Sequence, residues 1–445
     1  MSLRLAPSPG IALYETIGTP LNGGRVAAAA ALGAAMAVDA VREIEAFNAG
    51  RDAERLRMKY RAMRANPFAF LRGSCHLFYA RLAREGVLKS APRVWVCGDL
   101  HLENFGSYKG DNRLSYFDIT DFDESALAPA SWDLVRFLTS VQVGASTFSI
   151  GEAEARRLAR TFVDAYATAL AAGKAYWVER ELSTGLVRTL LDDLRNRQRP
   201  AFIAERTVTK DRKRMLRVDG KKALPASAAQ RDTVVEFMRK FADREPERGR
   251  DFFRVLDVAR RIAGTGSLGV DRYVILVEGK GSPERNYLLD LKQTLPSSLL
   301  PRLKGAQPAW KSEAHRVVAV QSQLQAVPMA FLRPVRLGGS PYVLRALQPS
   351  EDRVRLDKAG GDLRVLEPLI VTMAQIVAWA HLRSAGRGGS VSVDELIDFG
   401  SRKKWKEALL AASHDGAVQV RKDSAAFDAA CDAGLAQASR FEHAG

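Results

Sequence analysis

Cys97-Gly98-Asp99-Leu100-His101-Leu102-Glu103-Asn104 and, a little further on, Phe117-Asp118-Ile119-Thr120-Asp121-Phe122-Asp123-Glu124 are the two runs on which the reading of this chain turns. Arg93-Val94-Trp95-Val96-Cys97 is rich in β-branched and aromatic residues, which predicts a short strand that delivers Gly98 and Asp99 to its end. Gly98 suits a tight turn there. Leu114 to Ile119 predicts a second strand with the acidic cluster at its exit. Carboxylates and a carboxamide at strand ends are what a hard, oxygen-seeking cation needs. Each Asp or Asn taken singly is as well explained as a turn cap; the set together argues for a site.

Outward from this core the pattern is helical. Trp132 to Leu138 begins a helix after Pro129, and helical segments run through roughly 152 to 197. Residues 24 to 90 also read as helical, with Pro67 to Gly73 as a break between helices. The Ala-rich stretch Val26 to Val38 falls short of the ~20 apolar residues that cross a bilayer. It predicts a helix, with neither a signal peptide nor an anchor.

Downstream, Gly264-Thr265-Gly266-Ser267-Leu268-Gly269 fits G-x-G-x-x-G, a weak match alone. A dinucleotide-binding fold would follow it with a helix, whereas Arg272 to Glu278 reads as a strand. In the next strand, Tyr287 to Lys292, alternation puts Leu289 and Leu291 on one face and Lys292 on the other. A helix from Ser312 to Leu324 carries Glu313 in register with Val317, Val320 and Leu324, so a carboxylate points inward. An inward carboxylate needs a cation, and Lys292 is the expected partner. Residues 330 to 348 predict two strands around Gly338-Gly339, with Leu347 to Ser350 as a hinge. Leu366, Leu369, Ile370, Met373, Ile376, Val377 and Ala380 mark an amphipathic helix ending near His381 to Ser384.

The 445 residues are 47% hydrophobic, enough for two or three structural units and not a disordered chain. Three cysteines, Cys75, Cys97 and Cys431, are too few and scattered for a disulfide framework or zinc cage, which points to the cytoplasm. The net charge of +16 invites a nucleic-acid partner. The one dense basic run, Arg206 to Lys222, lacks the interleaved aromatics of a single-strand binder. It reads as a solvated loop or hairpin, with an acidic or phosphorylated substrate as the sharper alternative.

These motifs together resemble the kinase-like phosphotransferase superfamily, particularly the aminoglycoside and choline kinase branch, whose loop reads His-Gly-Asp-x-His-x-x-Asn. The runs Pro67 to Gly73, Gly98 to Gly106 and Asp118 to Glu124 look more closely like a broad bacterial family of uncharacterised proteins, catalogued only as a domain of unknown function. That closer resemblance spans most of the chain and brings no substrate.

The kinase resemblance implies that Asp99 accepts the proton of an acceptor hydroxyl, while Asn104 and Asp121 hold magnesium (Mg2+) with Asp123 as a helper. Asp118 is the alternative metal ligand. Lys292 would grip the α and β phosphates of ATP, with Glu313 positioning it. Gly264, Gly266, Ser267 and Gly269 would cover the phosphates. Asp133 would brace the loop, and His101 would support it. Cys97 stands where the branch has its loop histidine, and Asp290 replaces a small apolar residue that walls the adenine. Glycine loop, lysine and glutamate follow the catalytic loop here, where they normally precede it, so the implied fold is α+β: a protein-kinase-like two-lobe fold, circularly permuted, with extra N-terminal helices.

The expected units are a helical segment (1–90), a large-lobe core (91–250), a small nucleotide-binding lobe (251–350) and helices completing the large lobe (351–445). The expected function is a Mg2+-dependent phosphotransferase moving the γ-phosphoryl group of ATP to an unidentified hydroxyl acceptor. The alternatives are a non-catalytic kinase-like protein that binds nucleotide or a partner, and a two-metal phosphoesterase, which predicts further metal histidines. Nucleic acid is not an expected partner, because no groove-reading helix motif is present.

Overall fold

The structure, a computed structural model, describes residues 40–434 apart from 83–85, 212 and 246–247. The Ala-rich stretch Val26 to Val38 lies outside the described residues. The chain is a mixed α+β protein with several small sheets.

Helices come first: α1 (40–48), α2 (Ala53–Met63), α3 (Pro67–Gly73), α4 (Cys75–Arg81) and α5 (Val87–Ser90). The expected break at 67–73 is itself a helix. Pro67 occupies its first turn, where a missing N–H costs nothing, and Asn66 caps it by accepting from the Ala69 N–H at 2.8 Å.

Strand β1 (Arg93–Val96) is followed by β2 (Phe105–Lys109), β3 (Ser115–Ile119) and β4 (Ala126–Pro129). β4 returns antiparallel to β1, while β2 and β3 form a hairpin in which Phe105 faces Ile119. α6 (Ser131–Gly144) is buried along its whole length, and α7 (Glu152–Ala171) packs beside it. Then come β5 (Val178–Glu179), α8 (Gly185–Asn196) and α9 (Arg199–Arg206). The basic run folds as a hairpin of β6 (Thr207–Lys210) and β7 (Lys213–Leu216), followed by β8 (Ala223–Pro225) and α10 (Ala228–Ala242).

Residues 223–346 build a six-stranded antiparallel sheet from β8, β9 (Val255–Arg261), β10 (Arg272–Val277), β11 (Tyr287–Gln293), β12 (Arg333–Leu337) and β13 (Ser340–Ala346). α11 (Glu313–Leu324) is inserted between β11 and β12. Three helices close the chain: α12 (Leu363–Ser384), α13 (Val393–Ser401) and α14 (Lys404–Asp432).

One large hydrophobic cluster joins α1 to α8 with α11 to α14, so the final helices share a core with the first hundred described residues. α12 lies in that cluster against α7, burying Leu366, Leu369, Ile370, Met373, Ile376 and Val377. Each such side chain contributes about 1.5–3 kcal/mol on leaving water. The helix is long and apolar enough to cross a membrane by composition, yet 61% of its most apolar window is buried inside the fold, as a core helix should be. The six-stranded sheet has its own clusters on both faces. Tyr273, Ile275, Leu289 and Leu291 meet Val234 and Met238 of α10, while Val274, Leu276 and Leu288 meet Ile203 and Leu216. Period-2 alternation therefore turns Asp290 and Lys292 to the second face.

Candidate functional site

The loop after β1 is fixed by Asp133, in the first turn of α6. Its Oδ2 accepts from the Cys97 N–H and its Oδ1 from the Gly98 N–H, both at 2.9 Å. Gly98 has φ +86°, and a Cβ on it would lie 2.1 Å from the Glu124 carbonyl oxygen. Gly98→Ala therefore combines a left-handed backbone with a clash. The expected loss of unfolding free energy is about 1–3 kcal/mol or more, checked by denaturant melts of the two proteins.

One turn beyond Asp133 on the same helix, Arg136 reaches Asp99. Its Nε and Nη2 donate to Asp99 Oδ1 at 3.1 and 2.7 Å, and Nη2 also donates to the Leu71 carbonyl at 2.6 Å. Burial pushes the Asp99 carboxyl up to about 6, with Arg136 opposing the rise. Asn104 closes the loop by donating from Nδ2 to the Asp99 carbonyl at 2.7 Å. His101 is buried, accepts from the Glu103 N–H at 3.2 Å and is held neutral by burial and by Arg72.

The β2–β3 hairpin carries the acidic run to this loop, where the Thr120 N–H donates to the Asn104 carbonyl at 2.9 Å. Asp121 and Asp123 then face the same cavity as Asp99 and Asn104. Asp118 points elsewhere: it is buried, accepts from the Ile119 N–H at 2.8 Å and lies 3.6 Å from Arg383. Of the two candidate metal carboxylates, only Asp121 lines the cavity.

Lys292 reaches this acidic pair, bonding Asp123 and standing 3.9 Å from Asp121. Burial alone would raise the Asp121 carboxyl, but Lys292, Arg345 and Arg272 outweigh it and hold it below the usual range. The expected Lys292–Glu313 pair is not formed. Glu313 bonds Arg316 at 2.6 Å, one turn along α11, and it is Arg316 that is buried on the inward face. Arg316 in turn donates to the carbonyls of Asp123 (2.9 Å) and Ser125 (2.6 Å). Glu313 thus acts on the acidic loop through Arg316, because its own nearest cation satisfies it first.

Between β9 and β10, Gly264, Gly266 and Ser267 line the cavity, whereas Gly269 turns towards Arg51. The Gly266 carbonyl accepts from Lys59 Nζ and Arg51 Nη1, each at 3.0 Å. A Cβ on Gly266 would stand 3.1 Å from the Arg72 carbonyl, so the turn lies pressed on the N-terminal helices. Asp290 is fully buried among Arg272 (2.6 Å), Arg261 (2.9 Å) and Arg345 (3.3 Å).

Two cavities meet here. One of about 540 Å³ holds Asp99, Asn104, Asp121, Asp123 and the glycine turn. One of about 170 Å³ is lined by Arg261, Arg272, Val274 and Arg345 of the sheet together with Leu347-Gln348-Pro349. Asp121, Gly264 and Arg353 line both. The basic run is therefore only partly solvated, since Arg206, Arg217 and Lys222 line the smaller cavity.

The donor set suits magnesium. Two carboxylates and a carboxamide are hard oxygen ligands, and the Lys292 ammonium shows that the carboxylate pair already attracts a cation. Among the described residues no three His, Cys, Asp or Glu side chains come together as a cage. Mg2+ needs none, because it typically keeps waters and substrate phosphates beside one or two carboxylates. Of the histidines, His76 and His101 line the cavity, His76 stacked on Phe47, whereas His315 bonds Ser312 and His381 bonds Tyr166.

Three residues escaped the sequence reading. Arg136 was legible as the residue one turn after Asp133 on the same face. Glu124 belongs to the acidic run; it accepts from the Ser298 N–H at 2.6 Å, and burial raises its carboxyl. Arg353 follows the hinge and carried no motif.

A family model described as an uncharacterized protein conserved in bacteria, DUF2252, matches residues 51–430 of this chain. Neither a curated protein nor a solved structure matches it.

Proposed function

The chain belongs to the uncharacterised bacterial family DUF2252, and from that premise, which supplies no substrate, we propose that it is a Mg2+-dependent phosphotransferase with a kinase-like site. The observation that carries this reading is the shared 540 Å³ cavity. Asp99, Asn104 and Asp121 from one part of the chain face Gly264, Gly266 and Ser267 from a distant part. That is the pairing of a proton acceptor and metal ligands with a glycine turn that phosphoryl transfer requires.

In this reading the acceptor oxygen attacks the γ-phosphorus of ATP as the bond to the β–γ bridging oxygen breaks. ADP leaves, and the hydroxyl proton passes to the Asp99 carboxylate. Arg136 holds Asp99 in place by two donated hydrogen bonds. Asn104, Asp121 and Asp123 would hold Mg2+, which when bound neutralises phosphate charge. Lys292 lies beside the same carboxylates and grips the phosphates. Most of the rate comes from positioning and charge neutralisation.

Support for the permuted two-lobe arrangement comes from element order. The glycine turn joins β9 to β10, the lysine lies on β11 and a helix follows, as in a kinase small lobe. All of this comes after the Asp99 loop, and α12 to α14 then rejoin the first core. Of the expected units 1–90, 91–250, 251–350 and 351–445, the boundary at 250 moves, because β8 and α10 (223–242) pack with the six-stranded sheet. Cys75 and Cys97 are buried thiols outside any disulfide, which supports a cytoplasmic setting.

Calorimetric titration with ATP, with and without magnesium, tests the site. Wild-type protein is expected to bind only with magnesium, and Lys292→Ala and Asp121→Ala to weaken that binding by about tenfold or more each. Wild-type protein that binds no ATP would overturn the reading.

A further inference from the structure

Arg353, half-buried, stands out among the arginines of the site. Arg136 is paired with Asp99, Arg316 with Glu313, and Arg261, Arg272 and Arg345 with Asp290. Among the described residues Arg353 has no carboxylate at ion-pair distance and no side-chain hydrogen bond. Cations and carboxylates both lie around it. Burial and the nearby Arg72 bring its pKa down to about 10, with Arg272 adding to the fall and only Glu103 and Asp121 opposing it. Glu103 is already bonded to Arg72 at 2.6 Å. An arginine at that pKa is still charged at neutral pH, and a half-buried charge with no ion-pair partner is open to an anion.

Its position is held by the backbone. Arg353 bridges antiparallel to Gly106, two residues after Asn104, and the Val354 N–H faces the Phe105 carbonyl at 3.4 Å. A Cβ on Gly106 would lie 2.6 Å from the Asp352 carbonyl oxygen, so only glycine lets the 352–354 segment lie this close on β2. The guanidinium is thereby set at the junction of the two cavities, beside Asp121 and Gly264.

We propose that Arg353 anchors a phosphate group of the bound ligand where the two cavities meet. The ligand class is a molecule carrying two or more linked phosphates, spanning from the arginine-lined cavity to the Asp99 cavity. This deepens the phosphotransferase reading and rests on it for the identification of the ligand as ATP. The anion site itself needs only the unpaired guanidinium. A planar fork suits phosphate by paired N–H donors, and lysine replaces it incompletely.

The test compares ATP and inorganic tripolyphosphate, both with magnesium, on wild-type protein, Arg353→Gln, Arg353→Lys and Gly106→Val, with circular dichroism as the folding control. Arg353→Gln should weaken every phosphate ligand that wild type binds by about 10- to 100-fold, and Arg353→Lys by less. Folded Gly106→Val, which keeps the charge and moves it, should show a loss like that of Arg353→Gln. Tripolyphosphate bound without ATP, and lost in Arg353→Gln, would keep the anion site and overturn the nucleotide reading. Undiminished binding by Arg353→Gln overturns the inference while leaving the phosphotransferase intact. Wild-type protein that binds neither ligand overturns both.

Discussion

Asp99→Asn should abolish nearly all turnover while leaving ATP binding within a few-fold of wild type. A positioned general base contributes typically ~10²–10⁴-fold, so kcat is expected to fall by about 10³-fold once an acceptor is in hand. Asn is the informative replacement. It keeps an oxygen for the two Arg136 donors and cannot take a proton at neutral pH. Asp99→Ala would instead strand Arg136, which is wholly buried, and unpairing a buried ion costs about 3–5 kcal/mol. A turnover loss in that variant would mix chemistry with unfolding. Retained turnover in folded Asp99→Asn would remove Asp99 from the catalytic role.

The pH dependence gives an independent reading of the same group. A base works when deprotonated, so with the carboxyl near 6 the rate should rise through about pH 6 and level above it. The sign for stability is opposite. The folded pKa lies above the ordinary 3.8, so the folded state binds the extra proton between those values and this group's contribution to stability falls as pH rises from about 4 to about 6. Asp99→Asn removes both dependences, which a pH–rate profile and pH-resolved melts would register.

How much of this was readable follows from whether a feature is local. The Asp99 loop, the acidic run and Asp133 are short motifs whose geometry is set by neighbours in sequence, and the structure brings them together with Gly264, Gly266 and Ser267. The strands around the glycine turn and the helix from Glu313 to Leu324 were legible from alternation and 3.6-residue periodicity. The Lys292 partner was not. α11 carries Glu313 and Arg316 one turn apart, and periodicity does not say that they satisfy each other before either reaches a neighbouring strand. Arg353 depends on a bridge to Gly106 across most of the chain, which no local pattern encodes. The arginines around Asp290 depend on strand register: Arg345 lies directly across from it on β13, and Arg272 lies on β10 beyond the Val274 pair.

That arginine cluster carries the largest expected stability effect. Asp290 is fully buried, and three guanidinium groups converge on its two oxygens. Burial alone would raise its carboxyl; Arg261, Arg272 and Arg345 outweigh this and hold it well below the ordinary range. Asp290→Ala leaves three cations facing one another across strands β9, β10 and β13 without the one carboxylate that all three pair with. Removing one partner of a buried pair costs about 3–5 kcal/mol, and like charges in the same space add to that. Unfolding free energy from denaturant melts at pH 7 is expected to fall by at least this amount. The linkage sign is the reverse of Asp99: a depressed carboxylate stabilises the fold above its unfolded pKa, and the contribution is lost as pH falls below about 4. The gap between wild type and Asp290→Ala should therefore narrow on acidification. Because all three arginines also line or adjoin the smaller cavity, an added polyphosphate can replace the missing carboxylate. Millimolar tripolyphosphate should raise the melting temperature of Asp290→Ala more than that of wild type. Equal shifts would mean that the cluster is a strut for the sheet, walled off from whatever enters the cavity beside it.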